Sequence, residues 1–127
     1  MFHYTVESTK TVEDAAASLE KNLQTAGFGV LWDFDLQAKL IEKGVEFPEA
    51  YRILEVCNPK EAEKVLRRHK AAGNFLPCKI TVYEDNGVTY IGMPRPTVLI
   101  GFIEDPELKS IAEDVEKRMQ QSIDDSK

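Results

Sequence analysis

The side chains in this 127-residue chain whose types could do chemistry are two cysteines, Cys57 and Cys78, two histidines, His3 and His69, and scattered carboxylates. Cys57 has the most telling position. It ends the apolar run Tyr51 to Cys57 and stands directly before Asn58-Pro59, a pair suited to the N-cap and first position of a helix. A helix N-terminus stabilises a thiolate and lowers the pKa of a nearby cysteine. The plain alternative is a small side chain packed into a strand-to-helix turn. Cys78 opens the alternating run Cys78, Ile80, Val82. On neighbouring strands the two sulfurs would form a redox pair or half of a metal site, but parity turns Cys78 toward the core, where a thiol is inert. Glu55, two residues before Cys57, shares its side of the strand. Covered, it would be an acid/base partner for the thiol; exposed, it is a solvated sheet residue. The core-like Leu54 and Val56 on the other side favour exposure.

A closed zinc site needs four N or S ligands at short spacings such as C-x2-C, and none occurs, so no metal or cofactor is expected. His3 alternates away from the apolar side of the first strand, and His69 falls on an apolar helical stripe as an expected core or dimer-interface residue. The phosphate-binding, nucleophile-elbow and H-E-x-x-H motifs are absent, which leaves nucleotide-fold and hydrolase readings without support. Phe28, Trp32, Phe34 and Phe47 are expected in the sheet core or loop packing, and Trp32 would wall any apolar pocket.

These residues need elements to position them. Phe2, Tyr4 and Val6 alternate as a first strand. Thr11 with Asp14 resembles a capping box, and Val12, Ala15, Ala16, Leu19 and Leu23 follow at helical spacing until Gly27. Phe28, Val30, Trp32 and Phe34 give a second strand with its large side chains on one face, and Asp35 caps a short helix ending at Gly44. Tyr51 to Cys57 is the third strand; the helix after Asn58 buries Ala62, Val65, Leu66, His69 and Ala72 and closes at Gly73-Asn74. Asp85-Asn86-Gly87 joins a fourth and fifth strand as a hairpin. Residues 97 to 103 suit either a strand or a short helix, with helix slightly favoured by the preceding proline. Asp105-Pro106 starts a last helix with Leu108, Ile111, Ala112, Val115, Met119 and Ile123 on one face. The resulting order predicts an α+β fold, an antiparallel five-stranded sheet with helices on one face. Residues 1 to 123 are expected as one domain and 124 to 127 as a frayed tail.

Hydrophobic residues at 43% and charged residues at 30% are ordinary for a globular domain and exclude disorder. A net charge of -6 argues against a nucleic-acid partner, since phosphate neutralisation needs a clustered positive surface. No apolar stretch approaches the roughly 20 residues of a membrane span, and no signal peptide is visible, so a cytoplasmic location is expected.

The segments Gly27-Phe28-Gly29-Val30-Leu31, Tyr51 through Pro59, and Leu76-Pro77-Cys78-Lys79-Ile80 resemble a bacterial and archaeal family known only as domain of unknown function 302. The resemblance implies a fold like half of the TATA-binding protein, β-α-β4-α, without DNA binding, and homodimers as partners. It carries over no catalytic or ligand residues. The expectation is therefore a non-catalytic homodimer that binds a small molecule or protein, with Trp32, Cys57, Asn58, Pro59 and Cys78 as candidate contacts. The rival is a thiol-dependent enzyme or redox sensor using Cys57 with Cys78 or Glu55.

Overall fold

The computed structural model describes all 127 residues. Its helix starts follow from short polar caps. Thr11 accepts a hydrogen bond from the Asp14 amide at the head of α1 (Val12–Thr25), Asp35 does so for α2 (Leu36–Glu42), Asn58 for α3 (Pro59–Arg68) and Asp105 for α5 (Pro106–Ser126). α1 ends where Gly27 turns to φ +89, with the Gly27 amide on the Gln24 carbonyl and the Phe28 amide on the Leu23 carbonyl. That pair of bonds satisfies the last turn and swings Phe28 back onto the core.

Five antiparallel strands lie in the order β1-β5-β4-β3-β2: β1 (His3–Ser8), β2 (Gly29–Asp35), β3 (Tyr51–Cys57), β4 (Cys78–Asp85) and β5 (Val88–Pro94). The α+β architecture read from the sequence is present. Asn86 and Gly87, both at positive φ, make the two-residue turn between β4 and β5. On β5, beside the edge strand β1, Gly92 leaves room for Thr5: a Cβ there would stand 2.5 Å from Thr5 Oγ1.

Leu54, Val56, Ile80, Val82, Ile91 and Met93 on one sheet face meet Ala15, Ala16, Leu19 and Leu23 of α1 and Met119 and Ile123 of α5 in the main core. A second, smaller cluster joins Val65 of α3, Ala72 of the 3₁₀ turn Lys70–Phe75, Ile100 of α4 (Pro96–Ile100), and Leu108 and Ala112 of α5. α5 thus serves both clusters from one apolar stripe. No helix is long and apolar enough to cross a membrane.

Several expectations change. The sheet register slips in β2, where Val30 pairs with Val56 and Trp32 with Glu55, so Leu31 is an extra residue. The bulge reverses parity: Phe28 and Val30 pack on the main core, while Trp32 and Phe34 pass to the opposite face. Phe28 and Val30 therefore do not share a face with Trp32 and Phe34. α3 stops at Arg68, and His69 is extended and half exposed rather than buried. Asp105 draws Arg68 (2.9 and 3.0 Å) and stands 3.5 Å from the His69 ring, which turns this corner outward. The 97 to 103 stretch opens as the helix α4, in line with the favoured of its two readings. Residues 124 to 126 are not frayed, because α5 runs to a fully buried Ser126 and Asp124 accepts a hydrogen bond from Tyr4 Oη at 2.6 Å. That bond, with burial, pushes the Tyr4 hydroxyl up to about 12.

Candidate functional site

Between the main core and the second cluster the packing opens into a cleft of about 290 Å³. Its inner wall is sheet: Val56 and Cys78, directly paired across β3 and β4, with Phe28 beside them. α3 contributes Ala62 and Val65, the loop after the 3₁₀ turn Leu76 and Pro77, α4 Leu99 and Ile100, and α5 Leu108, Ile111, Ala112 and Val115. Fifteen of the 23 lining residues are hydrophobic, so apolar contact would dominate what the cleft holds.

The polar lining gathers at the ends of β3 and β4. Glu55 and Lys79 are cross-strand partners with Nζ and Oε1 3.4 Å apart. Asn58 Oδ1 accepts from the amides of Lys60 and Glu61 and is spent on the cap of α3. Glu61 carries its carboxylate 3.7 Å from Lys64 and 3.8 Å from Arg118. The Arg118 guanidinium in turn lies 4.9 Å over the Phe28 ring and donates to the Ala26 carbonyl.

Cys57, Cys78, Glu55 and Asn58 all border this one cleft, and the strand pairing turns the Glu55 side chain to the sheet face of Trp32. Both cysteines are free thiols. Burial pushes the Cys57 thiol up, and burial followed by the neighbouring Cys57 pushes Cys78 up to about 11. Burial thus raises both thiols, and both sulfurs are protonated at neutral pH. Glu55 keeps a 23% exposed side chain beside Lys79, not beside a thiolate base.

Two other sequence candidates lie elsewhere. Pro59 is exposed at the first position of α3, and Trp32 stacks on Phe34 at 4.9 Å on the sheet face away from the main core. That face also bears Tyr51, Tyr83 and Tyr90 in a row across three strands, with centroids 5.0 and 5.5 Å apart. His3 Nδ1 is 2.8 Å from Thr5 Oγ1, and no cluster of three or more His, Cys, Asp or Glu side chains exists that could hold a metal.

Sequence reasoning missed Glu116. Only 8% exposed, it accepts from the Thr97 amide (3.1 Å), Thr97 Oγ1 (2.7 Å) and Arg95 Nε (3.3 Å), which ties the uncapped start of α4 to α5 and fixes that wall of the cleft. Its spacing four residues after Ala112 places a charge beside the apolar stripe, a signal that a partner must exist.

No curated protein matches this chain. A crystal structure of an uncharacterized conserved DUF302 protein from Bacillus stearothermophilus superposes with a TM-score of 0.96 at 50% sequence identity, over 100% of this chain and 99% of that one. The sequence profile described as domain of unknown function DUF302 matches residues 4–126. With the profile spanning nearly the whole chain and half of all residues identical in a structure of the same fold, this protein belongs to the DUF302 family.

Proposed function

We propose that this protein is a non-catalytic binding module that holds a small, largely apolar molecule in the cleft between its two hydrophobic clusters. The observation that carries this reading is the cleft itself: about 290 Å³ of unfilled space beside a tightly packed core, walled mainly by hydrophobic side chains. Protein interiors otherwise fill such space, because each void forfeits dispersion contacts. Pairing with a second copy is supported by a separate feature, the tyrosine row with Phe34 and the 55% exposed Trp32 on the open sheet face. The thiol-dependent alternative uses the same cleft, but both sulfurs are held protonated by burial, and a nucleophile needs the thiolate.

Native mass spectrometry of protein purified without chelator, together with titration of the neutral fluorophore N-phenyl-1-naphthylamine, tests both parts. A species of two chains with one probe or one retained molecule per chain is the expected result. Ala62→Phe, which fills the cleft, should abolish probe binding and leave pairing intact; Tyr83→Arg should do the reverse. Probe binding that survives Ala62→Phe would remove the cleft from the account.

A further inference from the structure

Resting on that reading, we propose that Glu61 and Asn58 form the polar end of the cleft and select an apolar molecule ending in one uncharged group that both donates and accepts a hydrogen bond, a hydroxyl or a primary amide. Asn58, Glu61, Ala62 and Val65 recur at helical spacing and line the cleft from one face of α3 and its cap. The two polar members of that face sit together at its start. The Glu61 side chain is only 19% exposed, and its nearest cations, Lys64 at 3.7 Å and Arg118 at 3.8 Å, balance its charge from beyond hydrogen-bond reach. A largely buried carboxylate thus has lone pairs to offer. Asn58 supplies the complement, since its Oδ1 accepts from the Lys60 and Glu61 amides while its Nδ2 has no protein acceptor. Nδ2 lies 3.2 Å from the place a Cβ on Gly27 would take, and Arg118 Nη2 stands 3.3 Å from the same point, so Asn58, Arg118 and Glu61 converge beside the Phe28 ring that Arg118 covers. Arg118 itself is committed to Asp114 at 3.2 Å and to the Ala26 carbonyl at 2.7 Å. An unmet acceptor and an unmet donor in an enclosed space cost free energy, and one hydroxyl satisfies both. An ammonium would instead add a third cation beside Lys64 and Arg118, and a carboxylate would face Glu61. The other walls are mainly apolar, and about 290 Å³ takes on the order of ten heavy atoms at about 30 Å³ per water-sized unit.

The experiment measures displacement of N-phenyl-1-naphthylamine by 1-octanol, its isomer heptyl methyl ether, and octylammonium, for the native protein, Glu61→Gln and Asn58→Asp. The isomers match in size, but the ether oxygen can only accept. In the native protein octanol should displace the probe at about a tenfold lower concentration than the ether, the lower end of what a hydrogen bond to a charged group contributes, and should also precede octylammonium. Glu61→Gln exchanges an acceptor oxygen for a donor of the same size, so the ether should gain and the preference for octanol shrink to about twofold. Asn58→Asp keeps the oxygen that caps α3 and removes the Nδ2 donor, so both isomers should weaken by about threefold. Equal displacement by octanol and the ether in the native protein overturns the inference while probe binding still upholds the cleft. A Glu61→Gln protein that weakens both isomers alike overturns it too, because Glu61 would then only support the wall. So does octylammonium ahead of octanol, which would make Glu61 a cation site, and so does an Asn58→Asp protein that binds both isomers as the native one does. If the native protein does not bind the probe at all, the binding-module reading falls first and this inference falls with it.

Discussion

Where α1 and the C-terminal half of α5 cover the sheet, Leu19, Leu23, Leu54, Ile80 and Ile91 are sealed at 0 to 1% exposure. Where α3, α4 and the N-terminal half of α5 meet the same sheet, Val65 and Ile100 keep 9% and 8%, and about 290 Å³ stays open between the clusters. The difference is one of how the covering elements are held. α1 is a 14-residue helix with a side-chain cap at its start and a glycine-closed end, laid on the apolar face of the sheet. α4 has five residues and no side-chain cap, and relies on Glu116 of a neighbouring helix for its first turn. Long, self-satisfied helices can close onto a core, while short borrowed ones bridge a gap and leave space for something else.

Truncation should separate the two regions most clearly. Ile80→Ala in the main core is expected to cost about 3 to 5 kcal/mol, and Leu108→Ala beside the cleft about 2, because a residue bordering open space has fewer contacts to lose. Urea unfolding of both variants measures this, and equal losses would break the contrast. Cys78 lies on the seam, and its pH dependence says to which side it belongs. Its thiol is pushed up to about 11 in the folded protein, so the neutral form carries the stability. That contribution is complete below the ordinary thiol value of about 8.5 and declines as pH rises toward the folded value, at no more than about 1.4 kcal/mol per pH unit. Cys78→Ala should flatten this alkaline decline; an unchanged slope would mean that water in the cleft already solvates the sulfur.

Filling experiments should give opposite signs. Ala15→Leu, at a fully sealed position, is expected to lose about 1 to 3 kcal/mol through overpacking. Ala112→Leu, which projects into the cleft, should gain up to about 1 kcal/mol and weaken probe binding. Thermal unfolding reads both, and a destabilised Ala112→Leu would show the cleft to be smaller in solution. The smallest effect belongs to the ion pair Arg52–Asp33 on the rim of the main core. Arg52→Ala should cost less than about 1 kcal/mol and lose even that at high salt.

Much of this was legible in the sequence because it is local. Thr11, Asn58 and Asp105 announce helix starts, Asn86-Gly87 announces the hairpin, and the stripe from Leu108 to Ile123 announces α5; in each, a cap, a turn geometry or a period acts within a few residues. Cys57, Cys78, Glu55 and Asn58 could also be singled out by type and position, and they do share one cleft. Their chemistry could not be read there, since a helix N-terminus is visible in the sequence and the burial that pushes both thiols up is not. Tertiary structure alone decided the rest. One extra residue in β2 reverses the parity by which strict alternation unites Phe28 with Trp32, because side-chain direction in a strand depends on register against its neighbour. The frame of the cleft came likewise from elements distant in the chain, with Glu116 bonding Thr97 and Arg68 bonding Asp105, pairings between residues that no local period relates. Local sequence specifies which segments can bury a face, and the void left when five such faces meet is a property of their packing alone.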